Sequence, residues 1–186
     1  LTFDDGRKDS YYNADPVLRE LNYNAVMFVI TDESLDPHKQ NSRFYLNKAE
    51  LQRMLNSERW ELQAHAQEGH GTIPISKNGA QGNFYSNKMW LAEENRMETN
   101  EEFEKRIYDD MYQAKEDLQD NFEINVIAFA YPFGDFGKDT TNFPESEKII
   151  TETAASLFEL SFYQIWGGLG YSYNYPDENI AQIKRI

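Results

Sequence analysis

The chain of 186 residues contains no cysteine, which removes disulfides, thiolate zinc sites and cysteine nucleophiles together. Positive charge is scarce: 18 Lys and Arg face 32 Asp and Glu, for a formal net charge of −14. That excess repels phosphate backbones and anionic lipid, so nucleic acid is not an expected partner. Long apolar runs are missing too, none exceeding the six residues of 25–30. A bilayer span needs about 18–20 such residues, so no integral membrane segment is expected. Hydrophobic residues amount to 40%, but 12 Tyr, 12 Phe and 3 Trp bring enough ring surface to fill a core. The first residue is Leu1, not Met, and Leu1-Thr2-Phe3 reads as the middle of a buried strand. The expectation is a single acidic domain over residues 1–186, excised from a longer chain.

Short apolar runs alternate with helical patterns, as in βα units around a mostly parallel sheet. Residues 1–3, 24–30, 60–65, 124–131 and 162–166 read as strands, with a further one over 180–186. Helices are predicted over 12–21, with Val17, Leu18 and Leu21 at helical spacing and Pro16 in the first turn, and over 47–55, capped by Asn47. A long helix runs from Thr99, with Glu102 completing a capping box, to about residue 120. Phe103, Ile107, Met111 and Leu118 form its inner face. Residues 146–157 make the last helix, and residues 66–99 form a stretch rich in Gly, Asn and Ser. This alternation suits a barrel or an open doubly wound sheet. In both, chemistry gathers at the carboxyl ends of the strands.

Three of those strand ends carry special residues: Asp4-Asp5-Gly6, His65 with His70 beyond it, and Tyr131-Pro132-Phe133-Gly134. Side chains alternate along a strand, so adjacent Asp4 and Asp5 cannot serve one place in one role. One can face a metal while the other faces a water or a substrate proton, although Asp-Asp-Gly is also an ordinary turn. Two of the three histidines lie five residues apart, about 140° around a helix and of the wrong parity for one strand face. They converge only if His65 ends a strand and the chain loops back through Ala66-Gln67-Glu68-Gly69. Two imidazoles and a carboxylate, with positions left open to water, form a catalytic divalent-metal set; two unrelated histidines are the alternative. His38, in a polar loop, reads as a surface residue.

The motifs Thr2-Phe3-Asp4-Asp5-Gly6, His65…His70 and Ala130-Tyr131-Pro132-Phe133-Gly134 resemble, in order, the first three motifs of the polysaccharide deacetylases, the NodB-homology domains of carbohydrate esterase family 4. That resemblance implies a distorted (β/α) barrel of mostly parallel strands with surrounding helices. It implies Asp4 as general base, Asp5, His65 and His70 as metal ligands, and the Phe133 backbone N–H as an oxyanion donor. Tyr131, Pro132 and Trp166 are expected to contact substrate. The implied cofactor is a divalent ion, zinc first, with nickel, cobalt or iron as alternatives.

Three features depart from the usual family pattern. The histidines are five apart rather than four, and Ala130 stands where an Arg would pair with the base. Both departures are shared by the biofilm poly-β-1,6-N-acetylglucosamine deacetylases, which the chain resembles most. The third is that no His follows His70 to supply the late general acid. The function expected from the resemblance is metal-dependent N-deacetylation of an N-acetylglucosamine polysaccharide, with release of acetate, outside the cell or at its surface. A catalytically impaired carbohydrate-binding member and a small-molecule amidase are the alternatives.

Overall fold

The computed structural model describes residues 1–138, 141–165, 173–176 and 179–185. The elements run β1 (Thr2–Phe3), α1 (Lys8–Leu21), β2 (Ala25–Ile30), α2 (Thr31–Leu35), α3 (Lys48–Asn56) and β3 (Trp60–Ala66). Then follow two hairpins, β4 (Thr72–Pro74) with β5 (Gln81–Asn83) and β6 (Trp90–Leu91) with β7 (Arg96–Met97). The chain continues through α4 (Asn100–Phe122), β8 (Ala128–Ala130), a 3-10 turn (Pro132–Gly134), α5 (Ser146–Leu157), β9 (Leu160–Gln164) and β10 (Ile183–Arg185).

Six of these strands pair in parallel in the order β1-β2-β3-β8-β9-β10. Strand order follows chain order without reversal, which is the barrel pattern and not the doubly wound one. The sheet curls far enough for Arg185, on β10, to reach Thr2 of β1 (Nη1 to Oγ1, 3.2 Å). Among the described residues the two edge strands share no backbone pairing. The result is a half-barrel wrapped by helices.

Alternation along the strands divides the core in two. Met27 and Val29 of β2, Leu62 and Ala64 of β3 and Phe129 of β8 belong to the cluster that includes α4 and α5. Phe28, Ala128 and Ala130 point the other way and form a smaller cluster with Val26 and Phe162. The inner face predicted for α4 is fully buried at Phe103, Ile107, Met111 and Leu118. Both predicted helix starts are made: Asn47 accepts from Glu50 N and Thr99 from Glu102 N, and each Glu reaches back to complete a capping box. Burial of each large side chain is worth about 1.5–3 kcal/mol, so this stripe decides where α4 lies.

Several expectations are corrected. Helix α1 starts at Lys8, four residues early, and Pro16 lies inside it. Pro16 is exposed, so the carbonyl that loses its helical donor can turn to water. Val17 and Leu21 are more than half exposed; Leu18 is buried as expected, and Tyr11 joins it on the buried face. The stretch of residues 66–99 holds two short hairpins with a buried Tyr85-Ser86-Asn87 segment. The strand predicted over 162–166 is Leu160–Gln164, and Trp166 lies outside the described residues.

Candidate active site

β1 ends at Phe3, and the next residues leave strand geometry at once. Asp5 and Gly6 are both left-handed, with φ of 68° and 69°, a conformation costly for Asp5 and natural for Gly6. Asp4 and Asp5 therefore lie past the strand end, and the left-handed turn, not strand alternation, sends the two carboxylates apart. Asp5 Oδ1 comes to 3.3 Å from His65 Nε2 and 3.2 Å from His70 Nε2. Asp4 Oδ2 pairs with Arg185 Nη2, while Asp4 Oδ1 is buried without a hydrogen bond.

His65, one residue before the end of β3, is almost wholly buried. Its Nδ1 lies 2.6 Å from the Ala130 carbonyl, and a carbonyl can only accept, so Nδ1 carries the proton and Nε2 presents a lone pair. The residue in the place of the family's Arg thus orients the first histidine through its backbone. His70 is reached by the tight return of residues 66–69, and its ring packs 4.4 Å from the exposed ring of Phe133. Phe133 has φ of 60°, an uncommon strain for a bulky residue that gathers at functional sites. Gly134 is required beside it, because a Cβ there would stand 3.0 Å from the Gln164 backbone.

Electrostatics fit a cation between these groups. Burial alone would raise the Asp5 pKa, but the contact with His65, together with the neighbouring His70 and Arg7, outweighs it and holds the carboxyl below its ordinary range. Burial and the neighbouring His65 lower the His70 pKa, so its ring favours the neutral, ligating form. Asp5 Oδ1 is buried and makes no aligned hydrogen bond to either ring. A carboxylate oxygen facing an imidazole lone pair is repulsive unless something positive lies between them. The three donor atoms lie within 4.8 Å of one another. Donors about 2.1 Å from a tetrahedral ion stand about 3.4 Å apart, close to the spacings from Asp5. The residues fit a divalent ion.

A family model described as polysaccharide deacetylase matches residues 1–147. The chain belongs to the polysaccharide deacetylase family. Among curated relatives, the poly-β-1,6-N-acetyl-D-glucosamine N-deacetylase of Escherichia coli (strain K12) is 25% identical over 144 residues, 73% of this chain and 21% of that protein. The enzyme of the same name from Staphylococcus aureus (strain MRSA252) is 27% identical over 134 residues, 72% of this chain and 39% of the relative. The chain thus spans well under half the length of these relatives. The deacetylase domain of BpsB from Bordetella bronchiseptica superposes with a TM-score of 0.80 at 23% identity, over 100% of this chain and 69% of that one. IcaB from Ammonifex degensii gives 0.56 at 20%, over 87% and 57%. At these identities the structural likenesses establish the deacetylase fold.

Asp4, Asp5, His65, His70 and Phe133 come together at one end of the sheet. Tyr131 and Pro132 do not join them as exposed contacts: both are buried, and the Tyr131 hydroxyl donates to the Ala181 carbonyl at 2.8 Å. Neither side chain is exposed at the site. Arg185 was not anticipated. Ala130 suggests a base without a cation, yet the guanidinium arrives from β10, held also over the Phe28 ring at 5.1 Å. The only signal in the sequence is Arg185 itself, next to Lys184 in the final strand expected over residues 180–186.

Proposed function

We propose that this chain is the catalytic domain, over residues 1–186, of a divalent-metal-dependent N-deacetylase acting on poly-β-1,6-N-acetylglucosamine outside the cell or at its surface. The observation that carries the reading is the meeting of Asp5 Oδ1 with His65 Nε2 and His70 Nε2, one residue away from a carboxylate, Asp4, that keeps an uncommitted oxygen. Zinc suits the two-imidazole, one-carboxylate set, and nickel, cobalt or iron can replace it. When bound, a divalent ion there supplies Lewis-acid polarisation of the acetamide carbonyl and makes water acidic enough to lose a proton near neutrality.

The chain's own groups do the rest. Asp4 takes the proton from the attacking water, with Arg185 fixing Oδ2 so that Oδ1 receives it. The water oxygen bonds to the carbonyl carbon, and the Phe133 N–H donates to the oxygen on which charge gathers. The C–N bond then breaks, acetate leaves, and the sugar nitrogen takes a proton. Asp4, having accepted the water's proton, is the group within these residues that can return it to the nitrogen. The names of the curated relatives support the β-1,6 linkage.

The deciding experiment measures acetate release from β-1,6- and β-1,4-linked N-acetylglucosamine oligomers of equal length, alongside metal content. Faster release from the β-1,6 series is expected. Preference for the β-1,4 series defeats the linkage and leaves deacetylation standing. No acetate from either series with metal-loaded protein returns the chain to a carbohydrate-binding role.

A further inference from the structure

Helix α4 carries an acid on its buried stripe. Asp110 stands between Ile107 and Met111, both fully buried, and is itself 6% exposed. Burying a carboxylate is costly unless its lone pairs are filled, and here they are. Oδ1 accepts the backbone N–H groups of Glu68 and Gly69, each at 2.8 Å. Oδ2 accepts the Gln67 N–H at 3.1 Å and the hydroxyl of Tyr85. All four acceptor sites of the carboxylate are taken, three of them by successive amides of the return that separates the two histidines. Such a row of N–H groups aimed at one point is an anion nest, and the anion is part of the chain.

The return is anchored on its other sides as well. The Gln67 carbonyl accepts the Asp32 N–H at 3.2 Å, and the Gly71 carbonyl accepts the Phe84 N–H at 3.0 Å. His70 therefore stands between two fixed points, the Gly69 amide on Asp110 and the Gly71 carbonyl on Phe84. Position 69 has no room for a side chain: a Cβ would stand 2.8 Å from Tyr85 Cε2 and 2.9 Å from Asp110 Oδ2.

We propose that Asp110, held by Tyr85, is the positioning residue for the second histidine: it folds residues 67–69 around its carboxylate and so sets where His70 Nε2 meets Asp5. This is what lets a five-residue separation bring both rings to one point. The inference rests on the metal-dependent reading above, and concerns the affinity of the site rather than the chemistry performed there. Groups that orient a ligand without touching the metal typically change affinity 10–100-fold when removed.

The test is Zn²⁺ affinity of the metal-free protein by titration calorimetry, with backbone hydrogen exchange at residues 67–69. Asp110→Asn keeps the shape but turns an NH₂ toward the amides, so it should weaken Zn²⁺ binding at least tenfold and expose those amides to exchange. Asp117→Asn is the control on the same helix. It weakens the bond from Thr31 Oγ1, 2.7 Å long, and should lower thermal stability while leaving Zn²⁺ affinity unchanged. Should Asp110→Asn not fold, Gly69→Ala and Tyr85→Phe probe the same clamp from its other sides and should each weaken binding. Zn²⁺ affinity within twofold of wild type in a folded clamp variant that has lost protection at 67–69 overturns the proposal. Wild-type protein that binds no Zn²⁺ overturns the metal reading together with this role, whereas failure of the clamp variants alone to weaken binding removes Asp110 only.

Discussion

Arg185, on the last strand of the sheet, pairs with Asp4, just past the end of the first. The pair bridges the two edges that the curled sheet brings together without joining them through backbone. It uses one carboxylate oxygen and leaves the other without a hydrogen bond. Replacing Arg185 with Met should therefore loosen the base without touching the metal ligands. A misplacement of about 1 Å costs up to about 10²-fold in rate, and a loss of that order in kcat/KM is expected. Arg185→Lys restores charge but not the planar fork, and should recover part of it. Metal content should stay at the wild-type level in both, as measured by elemental analysis.

Adjacent carboxylates with different partners should separate cleanly on mutation. Asp4→Asn cannot accept a proton, and loss of a general base typically costs about 10²–10⁴-fold. Its metal content should be unaltered. Asp5→Asn should lose metal first and activity as a consequence. If elemental analysis instead finds the metal missing from Asp4→Asn, the two roles are reversed.

Much of this site is legible in the sequence because each part lies at the end of an apolar strand. Asp4-Asp5-Gly6, His65 and the Tyr131–Gly134 run need only a parallel sheet to converge. Asn47 and Thr99 announce their helices through side chains that satisfy the first-turn amides. What the sequence hides depends on closure of the sheet or on local geometry. Arg185 meets Asp4 only because β10 curls back to β1, a relation between residues 181 apart. Tyr131 reads as a polar-tipped residue at a strand end, yet its ring goes beneath the sheet and finds the Ala181 carbonyl. The hairpins of residues 72–97 have strands of two or three residues, too short for alternation to register.

Metal binding should weaken with acid only at an unusually low pH. Burial, reinforced by the neighbouring His65, lowers the His70 pKa from 6.5 against an opposing pull from Asp5. The neutral ring is the ligand, so protons compete with metal only as the pH falls through that lowered value. The sign is that of a base made weaker by its surroundings: the neutral His70 ligand is retained at a pH equal to its ordinary pKa and is lost only as the pH falls below it. Calorimetric Zn²⁺ titrations across pH 5–8 should break below 6.5, and a break at or above 6.5 contradicts the burial argument.

The insert that carries Tyr85 is tied to α4 chiefly through Arg106. Its Nε and Nη2 hold the two oxygens of Glu98 at 2.7 and 2.9 Å. Nη1 donates to the Phe84 carbonyl at 2.7 Å and Nη2 to that of Asn87 at 2.8 Å, with the guanidinium 4.4 Å from the Phe84 ring. Both charged side chains are largely out of solvent, at 14% and 5% exposure. Removing one partner of such a pair strands the other, typically at about 3–5 kcal/mol. Arg106→Met keeps most of the stem and should lower unfolding free energy by about 3 kcal/mol in urea titration. Adding Glu98→Gln removes the stranded charge and should return part of the loss, although the Met89 N–H that Glu98 accepts at 2.8 Å then has a weaker acceptor. A single variant within about 0.5 kcal/mol of wild type, the range of ordinary surface substitutions, would show that the insert is held by its apolar contacts alone.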